Sequence, residues 1–192
     1  MSIYGQHDEL YKVVEEYCTK TKQIDWNAAN QSNVYSKINQ IALEVNTQNT
    51  DNIIQAKERI KKENPQYSNE EVERQFSSLF IINLVENCPE YLMATRKLLE
   101  ECPPKNLTLI MILNKTNEII EKHSNKNYFD QIKAIDNELY PFVYDNMNTV
   151  IKDYPNGLND PNFINDFSRF ILHRSDGYFK AYMITTSINV EK

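Results

Sequence analysis

Three histidines, His7, His123 and His173, stand far apart in a chain of 192 residues. None belongs to an HExxH or HxxxH pair, the spacing that sets two imidazoles on one helix face for zinc. The chain has no GxxxxGKS/T or GxGxxG run, and three glycines in all leave little material for a phosphate-cradling loop. No serine or cysteine sits in a recognisable nucleophile setting. Asp160 and Asp166 flank the start of a predicted helix. As a pair they would do acid–base work only inside a cleft that moves their pKa values, and the plainer reading is helix capping. His173-Arg174-Ser175-Asp176 mixes donors and acceptors near a helix end, where cations complement the helix dipole. No catalytic residue, metal ligand or cofactor is expected, and the chain reads as a binder rather than an enzyme.

Composition narrows the partners. The formal net charge is −6, which argues against a nucleic-acid backbone and against anionic lipid, both of which reward dense Lys and Arg. Lys57, Arg59, Lys61 and Lys62 form one basic run, read as a solvated helix face. Cys18, Cys88 and Cys102 are an odd number without CxxC spacing, which fits reduced thiols in a cytosol-like compartment. The start, MSIYGQHDEL, lacks the basic and apolar segments of a signal peptide. No apolar run approaches the ~18 residues of a membrane span.

The elements that would position any site are helices. Scarce glycine disfavours tight hairpins, and apolar residues recur at helical spacing. Leu10, Val13, Val14 and Tyr17 mark a first helix over 8–19, and Val34, Ile38, Ile41 and Val45 a second over 33–46. A third runs from Thr50 to Glu63, closed by Asn64-Pro65. Ser68-Asn69-Glu70-Glu71 is a capping box that opens the fourth. Its second half, Leu79 to Val85, is apolar nearly all round and is expected at the centre of the fold, enclosed by its neighbours. Further helices are predicted over 89–101, 105–123 and from 128, the last kinked or divided at Pro141, with another over 162–174. Gly177 reads as a stop or hinge, and 178–190 as either helix or strand. No fixed-period repeat is visible. Asparagine, 24 residues of the 192, fits caps and loops but also an AT-rich coding sequence, which is given the weight.

Residues 34–123 resemble the VHS domain, a helical superhelix of endosomal sorting adaptors. The resemblance lies in INQIALEVN, QAKERIKKENPQ and FSSLFIINLVENCPEYL: a helix ending in a basic stretch and Asn-Pro, then an apolar helix closing on V-x-N-C. LTLIMILNKTNEIIEKHS resembles the family's sixth helix. Tyr35 stands where VHS domains carry a ubiquitin-touching Trp, Gln40 replaces an acidic residue, the join Gln66–Arg74 is longer, and Pro89 replaces a Gly. The resemblance implies an all-α, right-handed superhelix of about eight helices (VHS/ENTH-like), spanning 1–153, with a C-terminal helix and tail over 154–192 packed on it.

It also implies a protein or peptide partner, ubiquitin or a sorting signal, and a place at the endosome; the charge, thiols and short apolar runs read above imply a cytoplasmic chain with no nucleic-acid binding and no membrane insertion. Expected contacts are Tyr35, Lys37 and Gln40 on the second helix, and Arg74 and Ser78 on the fourth. Trp26 reads either as a contact or as a staple pinning a polar connection to the core. Two alternatives share the fold class: a phosphopeptide binder of the polymerase-tail type, which needs a basic groove, and a helical bacterial or viral effector whose last third holds a site.

Overall fold

The computed structural model describes residues 8–189, and every regular element among them is helical. The chain divides into two units, Met1–Leu98 and Leu99–Lys192. The boundary between these units falls inside the stretch that resembles a VHS domain. No helix among the described residues is long and apolar enough to cross a membrane.

The first unit holds α1 (Asp8–Lys22), α2 (Gln31–Gln48), α3 (Thr50–Glu63), α4 (Asn69–Asn87) and α5 (Pro89–Arg96). Its hub is α1, on which each of the other four helices packs. The α1 stripe Leu10, Val13, Val14, Tyr17, Cys18 and Thr21 is buried. Around it, α2 meets α3, α3 meets α4, α4 meets α5 and α5 returns to α2.

The capping box at the head of α4 forms as expected. The Glu71 N–H donates to Ser68 Oγ at 3.2 Å, and the Ser68 N–H to Glu71 Oε2 at 2.5 Å. The enclosure expected for α4 is only partial: Leu79, Ile82, Leu84 and Val85 are buried, but Phe80, Ile81 and Asn83 keep part of their surface in water. The apolar run exceeds what one helix face can bury, because α4 packs on α1, α3 and α5 and leaves a side open.

The second unit holds α6 (Leu107–Lys122), α7 (Tyr128–Asp145), α8 (Met147–Asp153), a 3-10 turn (Gly157–Asn159), α9 (Pro161–Arg174) and α10 (Asp176–Asn189). The hub is again the first helix: α6 packs on α7, α8, α9 and α10. The rim closes in the same order, α7 to α8, α8 through the 3-10 turn to α9, α9 to α10 and α10 back to α7. The two units thus share one packing plan, a repeat that the amino-acid pattern does not display.

The segment left open between helix and strand is α10, and Val190 lies outside the described residues. Gly177 is neither stop nor hinge. It sits inside α10, where a Cβ would come within 2.7 Å of Ile120 Cγ2 on α6, so its missing side chain lets α10 approach the hub. The helix predicted from 128 runs through Pro141 and breaks instead at Asn146.

Asparagine terminates and starts helices throughout. Asn30, Asn106 and Asn127 accept N-cap hydrogen bonds from the N–H groups of Asn33, Leu109 and Asp130. At the other ends, the side-chain amides of Asn49, Asn64 and Asn146 donate to the carbonyls of Val45, Ile60 and Phe142. Each of these carbonyls also accepts the backbone N–H of the same asparagine, so the amide adds a second bond at the helix end. Among the described residues no non-glycine residue has positive φ, so these ends need no left-handed glycine.

The reduced thiols expected of Cys18 and Cys88 are corrected by a disulfide joining them, with Cα atoms 5.4 Å apart. Cys18 lies on α1 and Cys88 at the junction of α4 and α5, and both are buried. Sequence spacing gave no sign of this, because the partners lie 70 positions apart. Cys102 is free.

Candidate functional site

The expected contacts on α2 do not form one face. Val34, Ile41 and Val45 turn inward, and the 100° step per residue places Tyr35, Asn39 and Leu43 together on the opposite side. Lys37 and Gln40 fall at the edges. Lys37 is half-buried, and Gln40 Nε2 donates to Glu44 Oε1 at 2.9 Å. Leu43 and Tyr35 are the two most exposed large apolar residues described in the first unit, at 70% and 63%. Leu43 was not among the expected contacts; its place on the helix opposite the buried stripe is the signal that would have found it.

At the N-terminal end of this stripe lies a shallow hollow lined by Gln31, Ser32, Tyr35 and Leu98. Gln31 Nε2 donates to the Leu98 carbonyl at 2.8 Å, and Lys97 Nζ donates to the carbonyls of Asn27 and Ala29. These bonds pin the residues after α5 to the start of α2 and so fix the floor of the hollow.

Trp26 lies in the core. It is 2% exposed, and its Nε1 donates to the Thr21 carbonyl at 2.9 Å. Its role is to fasten the α1–α2 connection to the core. Arg74 and Ser78 stand one turn apart on α4, both half-buried; the hollow and the α2 stripe include neither. The basic run of α3 is engaged locally: Lys57 pairs with Glu73 at 2.6 Å, Arg59 with Glu9 and Glu63, and Lys61 donates to the Tyr67 carbonyl.

The acid–base candidates of the second unit serve as ties. Asp160 caps α9 by accepting from the Asn162 N–H. Tyr154 Oη donates to Asp166 Oδ2 at 3.2 Å and accepts from Asn106 Nδ2 at 3.0 Å. Burial is the main reason the Tyr154 hydroxyl is held above its ordinary pKa. Arg169 bridges Asp166 and Glu100, and His173 Nε2 lies 2.7 Å from the Glu100 carbonyl. His123 meets Glu138 at 2.6 Å with Lys122 beside it, and hydrogen bonds from Lys122 and then His123 hold the Glu138 carboxyl down to about 2. His7 lies outside the described residues. A cleft of about 280 Å³ lies among α7, α9 and α10 and is lined by none of Asp160, Asp166 or His173.

Compared with protein-family models, curated proteins and solved structures, the chain matches none of them.

Proposed function

We propose that this chain is a protein-binding module that meets its partner through the outer stripe of α2. One observation carries the reading: Tyr35 and Leu43 present large apolar side chains to water two turns apart on one helix face, beside the hollow at Leu98. Tyrosine anchors of this kind supply much of the energy in protein interfaces. Ubiquitin, or a sorting signal in endosomal membrane trafficking, is the partner the VHS resemblance implies, with Tyr35 as the shared contact. The test is titration of the isotope-labelled chain with ubiquitin. Amide shifts should concentrate on 31–48 and vanish in the Tyr35→Ala/Leu43→Ala variant, whose changes are both at exposed positions. No shift at millimolar ubiquitin would remove ubiquitin as the partner.

The Cys18–Cys88 bond favours a second reading, a helical effector acting in an oxidising compartment, where disulfides persist. Alkylation of the chain from its native source, unfolded in denaturant as it is quenched so that the buried thiols are accessible, separates the two. Blocked Cys18 and Cys88 support the effector, and alkylated ones support the cytoplasmic adaptor. The phosphopeptide reading gains nothing from α3, whose cations are largely engaged with their own neighbours.

A further inference from the structure

The cleft of the second unit is walled by side chains that repeat at one-turn spacing. Leu139 and Val143 come from α7, Phe163 and Phe167 from α9, and the two phenyl rings stack with centroids 6.0 Å apart. Its polar lining residues are few: Asp136, Tyr140 and Tyr178. No Lys, Arg or His lines it. Asp136 is exposed and has no ion-pair partner among the described residues. Its charge is felt inside the cleft, where it adds to burial in raising the Tyr178 hydroxyl above its ordinary pKa.

An apolar cavity with a few convergent polar groups is the usual form of a small-molecule site, commonly ~300–1,000 Å³. This one lies just below that range. An unpaired carboxylate among tyrosine rings selects the sign of the ligand, since both carboxylates and aromatic faces attract cations. An anionic ligand would meet a like charge with no basic group to offset it.

We propose that this cleft binds a small apolar amine, its ammonium group held by Asp136 between Tyr140 and Tyr178 and its hydrocarbon body packed on Leu139, Phe163 and Phe167. The packing plan shared by the units supplies a natural contrast. When α2 and α7 are aligned on their capping residues Asn30 and Asn127, Asp136 corresponds to Asn39, so the first unit lacks the charge at this place.

The test titrates the full chain with 2-phenylethylamine, 2-phenylethanol and phenylacetate, followed by amide shifts. The amine should move the signals of 135–143 and 163–178 and bind about tenfold more tightly than the alcohol. Asp136→Asn, a change at an exposed position, should erase that preference while the alcohol's affinity is kept. A wild-type chain that binds amine and alcohol alike, prefers phenylacetate, or binds none of the three at 10 mM overturns the proposal. So does an Asp136→Asn chain, shown by circular dichroism to be folded, that keeps the amine preference.

Discussion

The two units close the same joint with different chemistry. In the first, hub residue Cys18 is bonded to Cys88, which ends α4 and opens α5. In the second, hub residue Asn117 accepts a hydrogen bond at 2.6 Å from Ser175, which ends α9 just before α10. Near their N-termini the hubs are tied to the third helix, by Arg59 with Glu9 at 3.6 Å in one and by the Thr108 N–H donating to Asp153 at 2.8 Å in the other. The difference between the units lies in helix length. A 14-residue α3 stands where the second unit has a seven-residue α8 and a 3-10 turn. From that turn, Leu158 borders the cleft. Conversely, α5 has eight residues against 14 in α10, and the outer stripe of α2 stays uncovered. One plan thus yields a surface in one unit and a cavity in the other.

The comparison can be broken most strongly at the disulfide. Closing a loop of 70 positions restricts the unfolded chain by about 4 kcal/mol. Reduction should therefore lower hydrogen-exchange protection across the first unit and leave the second unchanged. Equal loss in both would show that the units do not unfold separately. The equivalent change in the second unit is smaller. Ser175→Ala removes the bond to Asn117 and the cap on the Tyr178 N–H, and should cost about 1–2 kcal/mol, read by denaturant unfolding.

Gly177→Ala should cost about 1 kcal/mol or more despite alanine's better helix propensity, because the new Cβ meets Ile120 Cγ2. Ile120→Leu, which removes that branch, should recover part of the loss in a double-mutant cycle. Ser68→Ala should cost about 1 kcal/mol through the lost capping box.

The smallest effect is electrostatic. The Glu138 carboxyl is held down to about 2 by Lys122 and His123. A depressed carboxylate stabilises the fold above its ordinary pKa and loses that contribution as pH falls through the folded value. The Tm advantage of the wild-type chain over Glu138→Gln should be present at pH 7, shrink below about pH 4.5 and be gone near pH 2.

Much of the helical layout was legible, because apolar periodicity and capping signals are local. Thr50 to Glu63 and the Ser68 capping box fall where expected. What stayed hidden was non-local. The apolar run of α4 pointed to a central helix, yet the hub is the shorter and more charged α1, whose single buried stripe serves four neighbours. The abundance of asparagine reads from composition as a coding bias, while six of these residues satisfy helix ends. Of the expected contacts, Tyr35 stands on the candidate stripe and Trp26 is buried. Helical spacing alone separates neither of them from a core position, since aromatic size serves both roles.

The covalent link between Cys18 and Cys88 also has a mechanical meaning. Drawn out between its two termini, the oxidised chain carries load through the sulfur bridge, and the intervening helices α2, α3 and α4 form a slack ring outside the line of force. The fully extended molecule would be shorter than its reduced form by roughly 240 Å, at ~3.3–3.6 Å per residue over the 70 positions enclosed. Tension that straightens everything outside the ring would not be transmitted along those three helices.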